Sequence, residues 1–101
     1  GNFDPTFNSK MKKINPKKYN LSPRTILFKK KDSIIIIIDR KSRIIMKDGE
    51  RLLKQAQQIK ELEPTSKIKI ATSAPICSKT KAYLGNQKIP FMSMSVLEFP
   101  S

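Results

Sequence analysis

The densest run of apolar residues in the chain is Ile34–Ile38, which is followed by Asp39. β-Branched side chains favour extended backbone, and an unbroken apolar run is typical of a strand buried on both faces. The preceding segment, Thr25–Lys30, is also rich in β-favouring residues. The pattern therefore predicts two neighbouring strands, with Ile34–Asp39 at the centre of a sheet.

The stretch Gly49–Leu62 has the spacing of an amphipathic helix. Its apolar residues recur three and four positions apart, and they are Leu52, Leu53, Ala56, Ile59 and Leu62. Asp-Gly is a good turn and a poor helix interior, so we expect Asp48 to cap a helix that begins at Glu50.

The segment between the central strand and this helix has two interpretations. In the first, Arg40–Ser42 forms a hairpin turn and Arg43–Lys47 is a third strand. In the second, Ser42 caps one long helix from Arg43 to Leu62. We adopt the third strand because the Asp-Gly pair interrupts the longer helix.

The second half of the chain alternates between strands and helices. Lys67–Thr72 alternates as a strand, Cys77–Leu84 is a short helix with Gly85-Asn86 as its left-handed cap, and Ile89–Leu97 is a final strand. Such crossovers imply parallel pairing. We therefore predict an α/β fold, with α+β as the alternative. Its mixed sheet has the order β-β-β-α-β-α-β and two helices, on opposite faces or both on one.

The first 24 residues lack a period of two or 3.6 and contain three X-Pro pairs. We expect residues 1–24 to form a basic, largely extended arm and residues 25–101 to form a single small domain. The arm either wraps a partner or pins a few aromatic side chains to the core, and we favour the second interpretation.

Composition excludes several functional classes. The chain has 101 residues, no His and one Cys, so it cannot form an ordinary zinc site, a Ser–His–Asp triad or an internal disulfide. We expect no cofactor and no metal. The longest aliphatic run is too short to cross a bilayer, so we also expect no membrane span. The chain begins at Gly1 without an initiator Met; we expect a cytoplasmic location, with an upstream targeting segment left open.

The charge balance points to an acidic partner. Lys and Arg total 21 against 8 Asp and Glu, a net charge of +13. Our leading hypothesis is a non-enzymatic module that binds a polyanion, RNA or DNA, or an acidic protein surface. The excess of Lys over Arg instead favours compositional drift over sequence-specific recognition. The predicted contact residues are Lys12, Lys13, Lys17, Lys18, Lys29, Lys30, Lys31, Arg40, Lys41 and Arg43.

The loop after the strand Lys67–Thr72 is the second candidate. Residues 67–96 resemble the thioredoxin and glutaredoxin families, in which a strand leads through Cys-Pro-x-Cys into a helix. Ala74 stands at the attacking Cys, and Cys77 at the resolving one. The resemblance implies a single-Cys thioredoxin-like domain, and a helix start also suits anion binding. The predicted loop site comprises Ser73, Cys77, Ser78, Lys79 and Thr80.

Two further interpretations concern partners and carboxylates. The chain could be a subunit or assembly factor, or a homo-oligomer, whose apolar edge a partner covers. Asp39, with Asp48 and Glu50 close in sequence, offers carboxylates that could hold a divalent cation, and the order of three strands and a helix resembles the opening of ribonuclease-H-like nucleases. We favour a charged turn in which Asp39 pairs with Arg40 or Arg43.

Overall fold

Five strands and two helices make up the protein, for which a computed structural model describes residues 11–96. The strands are β1 (Lys12–Ile14), β2 (Ile26–Lys30), β3 (Ser33–Ile38), β4 (Lys67–Thr72) and β5 (Phe91–Ser93). The helices are α1 (Met46–Leu62) and α2 (Ser78–Asn86). Short 3₁₀ turns cover Pro16–Tyr19 and Met94–Val96.

The strands form one mixed sheet in the order β1-β2-β3-β4-β5. β2 is antiparallel to both of its neighbours, β1 and β3, whereas β3, β4 and β5 are parallel. This arrangement confirms the predicted α/β class and the central position of the isoleucine strand. Both helices connect parallel strands and both crossovers advance in the same direction across the sheet, so right-handed connections place the two helices on one face.

The main core lies between this sheet face and the helices. Ile34 and Ile36 of β3 pack there with Leu52 and Ile59 of α1 and Leu84 of α2. The alternate isoleucines belong to the other face, where a second cluster contains Met11, Phe28, Ile35, Ile37 and Ala71. The unbroken apolar run of β3 is therefore explained by burial on both faces.

The predicted third strand, Arg43–Lys47, is wrong because α1 already begins at Met46. Ile44 makes only a two-residue bridge to Ile76, with Ile44 N–H donating to Pro75 O and Cys77 N–H donating to Ile44 O, both at 2.9 Å. This tertiary contact holds the segment extended for one residue. Asp48 then lies in the first helical turn, where its carboxylate accepts the Ile45 N–H (3.0 Å).

Other boundaries also differ from the prediction. Gly85 and Asn86 lie inside α2, and the left-handed residue after the helix is Lys88, with φ 64°. The final strand is only three residues long, and Leu62, assigned to the apolar stripe of α1, is 60% exposed.

The segment assigned to the arm joins the fold from Met11 onward. Lys12–Ile14 pairs with β2, and Tyr19 is 2% exposed in the main core. This placement agrees with the interpretation in which the segment pins an aromatic side chain to the core. Residues 1–10, also assigned to the arm, lie outside the described part of the chain.

Candidate functional site

Seven of the ten cationic residues predicted to bind a polyanion lie at opposite ends of the sheet. Lys29–Lys31 and Lys12 are level with the amino end of β3, whereas Arg40, Lys41 and Arg43 follow its carboxyl end. A strand of six residues separates the groups by about 20 Å. Lys13 lies on β1, and Lys17 and Lys18 lie on the first 3₁₀ turn. The sequence therefore grouped residues that do not form one surface.

Arg40 is engaged within its own loop. Its guanidinium donates to both carboxylate oxygens of Asp48 and to the carbonyls of Ser42 and Arg43. The hydrogen bond from Arg40 is the largest cause of a lowered pKa at Asp48. Arg40 thus pairs with Asp48 and not with Asp39, which accepts a hydrogen bond from Ser73 Oγ (3.2 Å). Four of the five guanidinium donors are used here, and so Arg40 is poorly suited to a phosphate contact.

A cleft of about 460 Å³ opens at the amino end of β4, on the side where β5 would continue. Its apolar lining is Leu53, Ala56, Ile68, Ile89 and Pro90. Its polar lining is Gln57, Lys60, Lys67, Lys69, Gln87 and Lys88. We call this the amino-end cleft. It is lined by four lysines and by no acidic, aromatic or arginine side chain of the described residues.

The cleft exists because β5 covers only half of β4. Pairing between these strands runs from Ile70 to Thr72, and Ile70 N–H donates to Pro90 O (2.9 Å). If the pairing continued toward the amino end of β4, the Ile68 carbonyl would accept a hydrogen bond from the N–H of residue 90. Residue 90 is proline, which has no N–H, so this hydrogen bond cannot form. Lys88 then turns the chain away with φ 64°. The N–H and C=O of Ile68 therefore have no neighbouring strand on the β5 side among residues 11–96, and Ile68 as a whole is 5% exposed.

The lysines around the cleft differ in their surroundings. Lys60 Nζ donates to Ser66 O (2.6 Å), which fixes it against the loop that follows α1. Within the described chain, Lys67, Lys69 and Lys88 make no salt bridge. Lys67 and Lys69 alternate with Ile68 along β4, so their side chains point to the helix-free face while Ile68 points to the helices. The cleft therefore presents a cationic side and an apolar side along one open strand edge.

The carboxylate residues at this end of the sheet include Asp32, whose carbonyl accepts the Lys67 N–H (2.9 Å), and Glu63, which follows α1. Glu63 accepts a hydrogen bond from Tyr19 Oη (3.0 Å) and forms an ion pair with Lys18 Nζ (3.3 Å). The Tyr19 hydrogen bond is the largest cause of a lowered pKa at Glu63, and attraction to Lys18 and Lys29 adds to it. This carboxylate is therefore paired with Tyr19 and Lys18.

At the opposite end, the loops after β3 and β4 lie side by side. Thr72 Oγ1 donates to Ile38 O (2.8 Å) and accepts the Ala74 N–H (3.0 Å), which closes a tight turn after β4. Of the predicted loop site, Ser73, Ser78 and Lys79 are exposed, Cys77 is half-buried and Thr80 is fully buried.

Cys77 is the residue that precedes the first turn of α2. Its sulfur makes no capping hydrogen bond of standard geometry, but nearby N–H groups face it. They lower the pKa of the Cys77 thiol, the largest cause being the Lys79 N–H, followed by that of Thr80; the Thr80 hydroxyl and the charge of Arg43 also contribute. The structure thus brings Cys77, Lys79 and Thr80 together.

The cleft residues Lys60, Lys67, Lys69 and Lys88 were not among those predicted from the sequence. The available signal was Pro90 at the start of the last strand, since proline marks the point where a strand edge can no longer pair. Within residues 11–96, no group of three or more His, Cys, Asp or Glu side chains could hold a metal ion. None of the helices described is long and apolar enough to span a membrane. No protein-family model, curated protein or solved structure matches the chain.

Proposed function

We propose that the protein is a non-enzymatic binding module for an acidic, extended polypeptide segment, which adds to the open edge of β4 in the amino-end cleft. The observation that carries the proposal is that the backbone of Ile68 has no partner strand on the β5 side, next to an apolar lining and to Lys67, Lys69 and Lys88, which make no salt bridge in the described chain. This proposal develops the expectation of an acidic protein partner and gives it a place on the fold.

Strand addition explains why the bound segment would be a polypeptide. The N–H and C=O groups of an open strand edge pair with the backbone of an extended peptide. Side chains of an added strand alternate between the two faces of the sheet. Acidic residues would then lie beside Lys67 and Lys69, and apolar residues would enter the side lined by Ile68 and Ala56.

Nucleic acid is the less favoured partner for this cleft. Single-stranded nucleic acid is usually bound by stacking its bases on aromatic side chains, and base edges and phosphates are often read by arginine. Neither residue type lines the amino-end cleft. A sugar–phosphate backbone has no peptide groups to pair with the strand edge of the cleft and no apolar side chains to contact its apolar lining.

The first test is a fluorescence-anisotropy titration with a labelled peptide of about eight alternating Glu and Val residues. We compare it with a thymidine oligonucleotide of equal charge, at low and high salt. The expected peptide affinity is in the range of tens of micromolar and weakens at least about tenfold with salt.

The matched variants locate the site. The triple variant Lys67→Gln, Lys69→Gln, Lys88→Gln should weaken peptide binding by about tenfold or more. The control Lys41→Gln, Lys79→Gln, Lys81→Gln removes the same charge from the other end of the sheet and should weaken it less than about threefold. Equal losses, or tighter binding of the oligonucleotide, would contradict the proposal.

Amide exchange separates strand addition from loose electrostatic binding. On saturation with the peptide, exchange of the Ile68 amide should slow by about tenfold or more, because that N–H gains an acceptor. The Ile70 amide already donates to Pro90 O and should change little. Binding without protection of Ile68 would reject strand addition.

A further inference from the structure

A second cleft, of about 380 Å³, lies at the carboxyl end of β3, the opposite end of the sheet from the amino-end cleft. The chain enters β2 on one side of β3 and leaves β3 toward α1 and β4 on the other, so a crevice opens between the two segments. In open α/β sheets, ligands bind at this end of the strands. We call it the arginine cleft; its polar lining is Ser22, Arg24, Thr25, Arg51 and Gln55.

The two arginines of this lining come from different elements. Arg24 belongs to the segment before β2, and Arg51 to α1. Arg24 makes no salt bridge within the described chain, and no acidic side chain of the described residues lines the cleft. A guanidinium binds the oxygens of phosphate or carboxylate through a planar fork of N–H donors. The cleft therefore presents two such forks to an anion.

Arg51 keeps most of its donors although it contacts Asp48. One terminal nitrogen of Arg51 donates to Asp48 Oδ1 (3.1 Å), which is the one hydrogen bond of this side chain within the described residues. Arg40 donates to both oxygens of the same carboxylate. Asp48 thus balances one charge of two arginines, and a guanidinium has five N–H donors. Arg51 is left with unused donors and with positive charge.

A tight turn holds Arg24 in place. Thr25 N–H donates to Ser22 O (2.9 Å), and Arg24 N–H donates to Ser22 Oγ (3.3 Å). The chain just before this turn is tied to α1, because Gln58 donates to Asn20 O (3.2 Å). The wall that carries Arg24 is therefore fixed against the helix that carries Arg51.

The remaining lining of the arginine cleft is apolar. It includes Ile36 and Ile38 of β3 and Leu52 of α1. Ile36 and Leu52 belong to the main core, and Ile38 is half-buried beside it. A ligand that contacts these side chains has an apolar body as well as an anionic head.

We propose that the arginine cleft binds a small organic phosphate monoester, with the phosphate on Arg24 and Arg51 and an apolar body against Ile36, Ile38 and Leu52. A phosphate monoester carries about 1.5 to 2 negative charges at neutral pH, which matches two arginines, whereas a carboxylate carries one. The cleft is within the size range of small-molecule sites and holds a body of one aromatic ring. This site shares no residue with the amino-end cleft and does not depend on the proposed peptide binding.

The test is a titration of nitrogen-15-labelled protein with phenyl phosphate, followed by the backbone amide signals. We expect saturable shifts at Arg24, Thr25 and Gln55, with a Kd below about 1 mM. Benzoate has the same ring with one charge, and inorganic phosphate has the charge without the ring. Each should bind at least about fivefold more weakly than phenyl phosphate. Equal affinities for the three compounds, or shifts that do not saturate, would overturn the proposal.

Matched variants separate the site from general attraction to a cationic protein. Arg24→Gln and Arg51→Gln should each weaken phenyl phosphate binding by about fivefold or more. The control Lys54→Gln removes a charge from the same helix outside the cleft and should weaken it less than about twofold. These three side chains are exposed, so the variants should fold, as circular dichroism checks. An equal loss in Lys54→Gln would mean that binding follows net charge and would reject the site.

The shape of the charged group provides the last check. Arg51→Lys keeps the positive charge but loses the planar fork, so it should recover less than half of the binding free energy lost in Arg51→Gln. Full recovery would contradict the role assigned to the guanidinium.

Discussion

Tyr19 shows how single residues attach the N-terminal segment to the fold. Its ring is buried in the main core, while its hydroxyl reaches Glu63 at the end of α1 (3.0 Å). Gln58 holds the same turn by donating to the carbonyls of Tyr19 (3.1 Å) and Asn20 (3.2 Å). Burial, followed by the hydrogen bond and the charge of Glu63, raises the pKa of Tyr19 to about 12. An amphipathic side chain of this kind can be buried because its polar end has a partner.

The raised pKa of Tyr19 makes the free energy of unfolding depend on pH. The stabilisation that Tyr19 provides is fully present below pH 10.0, the pKa of tyrosine in the unfolded chain. It is lost as the pH rises toward about 12, because tyrosine ionises in the unfolded chain first. We expect Tyr19→Phe to cost about 1 kcal/mol at neutral pH, since Glu63 loses a donor. The difference between wild type and variant should shrink between pH 10 and about 12. Urea unfolding at several pH values measures it, and a pH-independent difference would contradict this assignment.

At the scale of elements, the contact between α1 and α2 depends on Gly49. A Cβ atom at this position would lie 2.8 Å from Thr80 Cγ2, and 3.7 Å from the ring of Tyr83. The helices therefore approach closely through a buried glycine near the start of α1. This contact explains why an Asp-Gly pair lies inside a helix in spite of its preference for turns.

Gly49 and Gly85 give opposite expectations for the same substitution. In an open helical position Gly→Ala stabilises by about 0.5–1 kcal/mol, and a Cβ added at Gly85 would have no atom within 4 Å. Gly49→Ala should instead destabilise by about 1–2 kcal/mol, because α2 must move. Chemical denaturation of both variants provides the measurement. Stabilisation by Gly49→Ala would show that the helices are not packed at this distance.

At the scale of the whole molecule, positive charges greatly outnumber negative ones, with 21 Lys and Arg against 8 Asp and Glu. The net charge is +13, and the described part of the chain contains the ion pairs Lys18–Glu63, Arg40–Asp48 and Arg51–Asp48. Two of these share the single carboxylate of Asp48. Most cationic side chains therefore repel one another across the surface, and this repulsion opposes the compact state.

Screening should stabilise such a molecule. We expect the Tm to rise by several degrees between about 20 mM and about 0.5 M NaCl, because repulsion between cations is screened more than the few ion pairs are weakened. The Lys67→Gln, Lys69→Gln, Lys88→Gln variant should have a higher Tm at low salt and a smaller salt response. Thermal unfolding followed by circular dichroism checks both statements. A Tm that falls with salt would mean that attractive pairs dominate.

Local pattern was sufficient for the main elements and insufficient for the site. The isoleucine strand, the apolar stripe of α1 and the alternation in β4 were predictable, because side-chain periodicity reports burial directly. The segment Arg43–Lys47 was not, since its extended part is held by one bridge between Ile44 and a loop 32 positions away. The relative positions of the lysines were not predictable either, because β3 separates Lys31 from Arg40.

The sequence by itself determined the α/β class, the central strand, the absence of a disulfide within the chain and the excess of positive charge. The reason is that periodicity and composition are properties of neighbouring residues. Only the tertiary structure decided that both helices share one face, that β5 begins only at Phe91 and leaves Ile68 without a partner strand on that side, and that the Thr80 hydroxyl is buried without a hydrogen-bond partner. Those features depend on crossover direction, pairing register and the approach of two helices, and these are set by contacts between residues distant along the chain.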